Sequence, residues 1–159
     1  MMVEQQRLEF DVVVIGGSVA GAGAAHMLRQ HDPEIRILVV EQSQVFARKV
    51  GEATVEVGAY FLGRGLGLID YLNDEHLIKQ GLRFYFNSDD VTDLSNSGEL
   101  GGKFLSRVPS YLVDRAKLDE EVLCRASKIG ATVWRPASVK SVDLKEGGPN
   151  RVIVSVGEE

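Results

Sequence analysis

The order strand, glycine turn, helix, strand, acid over residues 11–41 constrains this chain more than any other feature. Asp11-Val12-Val13-Val14-Ile15 reads as an apolar strand. Gly16-Gly17-Ser18-Val19-Ala20-Gly21 reads as a turn that opens a small-residue helix from Val19 to Arg29, and Ile35 to Val40 as a second strand ending on Glu41. A dinucleotide-binding unit is built in this order. Gly16 permits the tight turn, Gly21 lets helix and strand backbones pack closely, and Ala25 keeps the same contact small one turn later. The free N–H groups and positive end of the helix face a pyrophosphate. Glu41 follows Gly16 by 25 residues, near the ~20 expected of the acid that binds the adenosine ribose. An acid there disfavours a 2′-phosphate, which argues against NADP in this site. Ser18 replaces the middle glycine, adding a Cβ near the diphosphate and a hydroxyl able to donate to it. The competing reading is an ordinary strand–helix–strand turn with no ligand.

The 159 residues amount to one domain by length, and 44% apolar with 26% charged residues fits a soluble globular protein. A net charge of −5 and the lack of a basic patch interleaved with aromatics argue against nucleic acid as a partner. Met1 to Glu9 is polar with no apolar signal core, and no apolar run approaches the ~18 residues of a membrane span. The expected location is cytoplasmic, without a membrane partner. The single Cys124 fits a reducing compartment and is expected as a buried structural thiol. His26, His31 and His76 lack ligand spacing with Cys or carboxylates, so no metal is assigned.

After Glu41 a polar connection leads to Gly51-Glu52-Ala53-Thr54, where Thr54 is placed to cap a helix from Val55 to Leu62. Gly63, Gly65 and Gly67 are expected to break it before a further short helix over Leu66 to Leu72. Asp74 is expected to cap a brief turn leading to Lys79, and Leu82 to Phe86 has strand character. Residues 87–102, rich in Asp, Asn, Ser and Gly, read as a flexible loop. A strand is expected at Phe104, Leu105 and Val108, then a helix from Arg115 to Lys128 capped by Asp114 and stopped by Gly130. Its stripe Leu118, Val122, Ala126, Ile129 is the buried face. Thr132 to Trp134 is the next parallel strand, with Trp134 as core, and Val139 to Leu144 and Val152 to Val156 form a hairpin. A doubly wound sheet needs further parallel strands, so the chain is expected to be the N-terminal part of a larger protein.

Asp11 to Glu41 together with Arg48-Lys49-Val50-Gly51-Glu52-Ala53-Thr54 resembles the N-terminus of flavin-dependent halogenases. Val113-Asp114-Arg115-Ala116-Lys117-Leu118-Asp119 is similar to that family's second flavin-contacting segment. The family stands with FAD-dependent aromatic monooxygenases and geranylgeranyl reductases. The resemblance implies an α/β, glutathione-reductase-like Rossmann FAD-binding fold with a parallel sheet and a β-hairpin or meander, residues 1–159 forming one FAD-binding domain of a larger flavoprotein. It implies FAD in the first site. It also implies a small-molecule substrate, electron-rich and often aromatic, with a flavin reductase or NAD(P)H as electron source.

On these residues the resemblance assigns Gly16 to Gly21 to the pyrophosphate and Glu41 with Gln42 to the ribose side. Arg48 and Arg115 become fixed cations, Gly51, Glu52, Ala53 and Thr54 a close backbone approach to the flavin, and Val139 a main-chain contact to adenine. Lys79, in a Lys-x-Gly-x-x-Phe setting, matches the family lysine that handles hypohalous acid across a tunnel from the flavin. Desolvation and a mobile ammonium suit lysine to that task. Each cation has a plainer reading: Arg48 as a solvated cation beside Lys49, Arg115 as a helix ion pair with Asp119, Lys79 as a solvent-facing residue before a strand. The family's Trp-x-Trp-x-Ile-Pro segment, which blocks monooxygenation, is absent, and Trp134 stands in another context. Two further readings stand beside the halogenase or monooxygenase one: a prenyl-reducing flavoenzyme of the geranylgeranyl type, and a non-catalytic nucleotide-binding fragment.

Overall fold

The computed structural model describes residues 6–86, 97–102 and 107–157. The chain divides into two compact units, Met1–Lys49 with Arg115–Glu159, and Val50–Asp114.

In the first unit, strand β1 (Val12–Ile15), helix α1 (Val19–His31) and strand β2 (Ile37–Val40) follow the expected order within two residues at each end. All four β2 side chains are buried, as a continuous Ile-Leu-Val-Val run requires of the middle strand of a parallel sheet. β1 pairs parallel on one side of it, Val12 opposite Ile37. The other side takes a parallel strand from the far end of the chain (Thr132–Trp134), Leu38 opposite Thr132. Asp11 and Arg36 tie the starts of β1 and β2 through paired hydrogen bonds of 2.8 and 3.1 Å, and that guanidinium lowers the Asp11 pKa to about 2.

α1 packs along the helix Arg115–Lys128. Ala22 and Ala25 are fully buried on α1, facing a stripe of Leu118, Val122, Leu123 and Ala126. Small residues on one side let the two axes approach closely. Arg29 then locks their ends, its Nε donating to the Ile129 carbonyl and its Nη1 to that of Ile35. Cys124 is exposed rather than buried. At 100° per residue it falls on the side of the helix away from that stripe. Gly130 ends the helix at φ +102°, as expected. A hairpin of Ala137–Asp143 and Arg151–Val156 closes the unit. Ala137 joins Leu38 and Val40 in the core, with Trp134 and Val139 packed against them and Phe10 edge-on to Trp134 at 6.3 Å.

The second unit holds α2 (Glu56–Tyr60), a π-helical turn (Phe61–Gly65) and α3 (Ile69–Glu75), followed by β3 (Leu77–Lys79), β4 (Arg83–Phe86), β5 (Gly98–Gly101) and β6 (Ser110–Leu112). In chain order, the helix Arg115–Lys128 is α4, Thr132–Trp134 is β7, and the hairpin is β8 and β9. β3 pairs antiparallel with β6, and β4 with β5.

Several expectations change here. The N-cap of α2 is Val55, without a side-chain bond. Thr54 is drawn away because its hydroxyl accepts the Tyr111 N–H at 2.7 Å and donates to the Tyr111 carbonyl. The glycines at 63 and 65 do not stop the helix; they widen it into a π turn, where a Cβ on Gly65 would press within 3.1 Å of the Phe61 ring. Asp74 caps nothing, lying inside α3, because buried His76 turns the chain straight into β3 by accepting the Asp114 N–H. Within the expected loop at 87–102, residues 98–101 are a strand instead, their Gly-Glu-Leu-Gly run held by the β4 ladder and by a 2.7 Å pair between Arg83 and Glu99. Residues 87–96, and Phe104 and Leu105, lie outside the described residues. Val108 is not in a strand; β6 begins at Ser110.

Candidate functional site

The turn between β1 and α1 carries the geometry that the glycine pattern implies. Gly16 sits at φ +98°, a conformation that a side chain disfavours, and its N–H bonds the Val40 carbonyl at 2.8 Å. A Cβ on Gly21 would overlap the carbonyl oxygen of Gly16 and stand 3.0 Å from Val14 Cγ1. Helix and strand therefore meet backbone to backbone, with no room for a side chain. Ser18 is the N-cap residue of α1, yet its hydroxyl makes no capping bond.

A residue 101 positions away does that work. Asp119, fully buried on α4, accepts the Val19 N–H on Oδ1 at 3.0 Å. It also binds two cations. Arg115 reaches it from one helical turn earlier, Nη2 at 3.1 Å from Oδ1, and the Lys49 ammonium lies 2.6 Å from Oδ2. The plainer reading of Arg115, an ion pair with Asp119, is thus part of a larger cluster at the start of α1. Arg48 is exposed, and its neighbour Lys49 meets the same carboxylate as Arg115. Sequence reasoning missed Lys49 and the wider role of Asp119. The available signal was the Arg115–Asp119 spacing of four, which marks a helical pair but not its burial.

Glu41 is also buried, and its carboxylate is already engaged. Oε2 accepts the Gly17 N–H at 2.7 Å and Oε1 the Ser43 N–H at 2.8 Å. Gln42 beside it is exposed. The following segment is bound to α4 by a second acid. Glu120 accepts the Phe46 N–H at 3.0 Å and forms two bonds of 2.6 and 2.7 Å with Arg135. The Arg135 guanidinium in turn lies 4.2 Å from the Phe46 ring centre and holds the Glu120 carboxyl below its usual range. Val139 lies on β8, paired with Val154 at the edge of an irregularity in the ladder.

In the second unit, Gly51 takes φ +95° and Glu52 to Thr54 run beside β6. The Glu52 carbonyl accepts the Val113 N–H at 2.6 Å, and the Thr54 N–H bonds the Tyr111 carbonyl at 2.8 Å. Lys79, half-buried at the end of β3, donates from Nζ to the Thr54 carbonyl at 2.7 Å. The fold thus brings together the Gly-Glu-Ala-Thr segment and the lysine, separated by 25 residues in sequence. The ammonium has three donors, so two remain for another acceptor. No group of three or more His, Cys, Asp or Glu among the described residues is arranged to hold a metal. No described helix is long and apolar enough to cross a membrane.

The sequence model of the tryptophan halogenase family matches residues 11–93, just over half of the chain. The chain belongs to that family. It is 30% identical over 147 residues to a flavin-dependent halogenase of Dictyostelium discoideum, covering 84% of this chain and 24% of that protein. It is 24% identical over 149 residues to digeranylgeranylglycerophospholipid reductase 2 of Methanothermobacter thermautotrophicus, covering 92% of this chain and 34% of that one. Its fold matches that of the myxobacterial chondrochloren halogenase, a variant of the FAD-dependent halogenases, with a TM-score of 0.71 at 24% identity, over 87% of this chain and 31% of that chain. The family member described here thus spans a quarter to a third of the length of these relatives. Its parallel sheet and β-hairpin are the Rossmann-like part of a halogenase fold.

Proposed function

We propose that residues 1–159 of this tryptophan halogenase family member serve as the FAD-binding, N-terminal domain of a larger flavin-dependent oxidoreductase of the halogenase or monooxygenase type. The start of α1 carries the reading. There the backbone is open at Gly16, the Ala20 and Gly21 N–H groups of the first turn lack helical acceptors, and Lys49 and Arg115 are gathered beside them on Asp119. These donors and charges suit a pyrophosphate. Gly16, Gly17, Ser18, Val19, Ala20 and Gly21 would line it, with Arg48 adding charge. Glu41 keeps lone pairs beyond its two backbone bonds for ribose hydroxyls, with Gln42 next to it and the Val139 main chain toward adenine. Gly51, Glu52, Ala53 and Thr54 would meet the flavin end.

When bound, reduced FAD supplies the electrons that turn dioxygen into an oxidant for halide or for an electron-rich ring. Lys79 is our candidate catalytic residue. Its ammonium, anchored on the Thr54 carbonyl, would use its remaining N–H groups to hold hypohalous acid and orient it toward a small, electron-rich and often aromatic substrate. A flavin reductase or NAD(P)H would provide the electrons.

The test is the absorbance spectrum of the purified protein with added FAD and ADP, followed by product analysis with reductase, oxygen and halide. Bound yellow flavin displaced by ADP, and a halogenated product lost in Lys79→Ala while the flavin stays bound, is the expected result. A colourless protein that binds neither nucleotide overturns the cofactor reading, and undiminished halogenation by Lys79→Ala overturns the role of the lysine. Likeness to the lipid reductase supports a second reading, prenyl double-bond reduction on the same fold. Consumption of a prenyl lipid without any halide-dependent product would favour it.

A further inference from the structure

We infer that Asp119 is a positioning residue that aims Lys49 and Arg115 at the phosphate-binding end of α1. This inference rests on the nucleotide site proposed above. The carboxylate is fully buried and collects donors from three separate parts of the first unit: the Val19 N–H at 3.0 Å, Arg115 Nη2 at 3.1 Å and the Lys49 ammonium at 2.6 Å. Two cations thus converge on one acid. A lysine side chain is long, flexible and strongly hydrated. Lys49 is 40% exposed, and in the absence of a buried partner its ammonium would be drawn into water. Asp119 holds it against the helix start, and the same oxygen that receives Arg115 fixes the first N–H of α1.

The proposal has a sign that a charge-balancing role does not share. A buried carboxylate beside a pyrophosphate repels it. If Asp119 served only to balance charge, Asp119→Asn would remove that repulsion and tighten the binding of any phosphate. If it aims the cations, Asp119→Asn releases them and weakens binding.

The experiment compares ADP, FAD and adenosine binding to the intact protein by calorimetry, across a range of salt concentrations. For Asp119→Asn we expect ADP and FAD affinity to fall about tenfold, adenosine affinity to stay within about twofold, and the salt dependence of ADP binding to flatten. Lys49→Gln should weaken ADP binding in the parent protein and have little further effect beside Asp119→Asn, since coupled residues are non-additive. Unchanged or tighter ADP binding by Asp119→Asn overturns the inference, as does an equal effect of Lys49→Gln in both backgrounds. Should Asp119→Asn not fold, Lys49→Gln decides alone: selective loss of ADP over adenosine affinity supports the inference, and unchanged ADP affinity overturns it. A parent protein that binds adenosine and ADP equally well overturns the inference while leaving an adenosine site. One that binds no nucleotide overturns the cofactor reading first, and this inference with it.

Discussion

Glu41 is the residue whose replacement separates two roles that the sequence merges. Its position marks it as a ribose acid, yet its carboxylate already accepts the N–H groups of Gly17 and Ser43 at 2.7 and 2.8 Å. Gly17 is buried, so Glu41→Ala leaves its N–H donor without the carboxylate that accepts it. Ser43 is half-buried and can recruit water. A hydrogen bond to a charged group contributes about 1.5–3 kcal/mol, and a buried donor left unsatisfied costs about 1–3 kcal/mol. Glu41→Ala should therefore destabilise the first unit by about 2–4 kcal/mol. At roughly 2–4 °C per kcal/mol for a chain of this size, the melting temperature falls by roughly 5–15 °C. Glu41→Gln keeps one acceptor oxygen and turns an amide toward the other N–H, so about half of that loss remains. Urea unfolding followed by the fluorescence of Trp134, the single tryptophan of the chain, measures the difference. ADP affinity, taken under folding conditions, reports the ribose role separately. An unchanged unfolding midpoint in Glu41→Ala would refute the reasoning, since it would mean that the two backbone bonds contribute nothing.

Gly21→Ala should cost about 3 kcal/mol, the upper range of overpacking, because the new Cβ overlaps the Gly16 carbonyl; a loss under about 1 kcal/mol in the same urea assay would refute the close approach. The Glu120 carboxyl lies below its usual range beside Arg135. Its contribution to stability is therefore complete above the ordinary glutamate pKa near ~4.3 and is lost as the pH falls through the lowered folded value. Arg135→Ala should remove that part of the acid sensitivity, and parallel stability–pH curves for the two proteins would contradict it. Burial, and then the Arg125 charge, push the His26 pKa down, and its Nδ1 is buried with no partner among the described residues. The neutral ring is thus the folded form. Its contribution is full above about 6.5 and is lost as the pH drops through the lowered folded value. An NMR titration of His26 with an ordinary midpoint would contradict it.

The first unit was legible because its signals are local. A continuous apolar run, a glycine at the turn and small residues at the start of a helix each specify one element, and β1, α1, β2, α4 and β7 fall where those patterns put them. The second unit was less so. Thr54 is a sound helix cap by composition, but a strand partner 57 residues away takes its hydroxyl. Gly98–Gly101 has the composition of a loop and becomes a strand because β4 offers it a ladder. In both cases pairing between distant segments outweighed local preference.

The same division runs through the site, and α4 shows where it lies. Asp119, Glu120 and Glu121 are consecutive acids that a sequence alone presents as a charged helix face. Glu121 behaves so, pairing with Arg125 one turn on at 2.6 Å. Its two neighbours do not, because 100° of rotation per residue turns them toward different surroundings. Glu120 meets Phe46 and Arg135, and Asp119 meets Val19 and Lys49. The Arg115–Asp119 spacing is the same as that of the partly buried Glu121 and Arg125, so spacing cannot tell a pair along one helix from a fully buried junction. What separates them is the number of donors from elsewhere in the chain. A surface carboxylate can satisfy its remaining lone pairs with water, whereas a fully buried one must find protein donors or lose stability. Asp119 finds them at the start of α1 and at the end of the segment that follows β2. Burial of one acid on α4 therefore obliges the chain to bring a helix N-terminus and two cations to a single point.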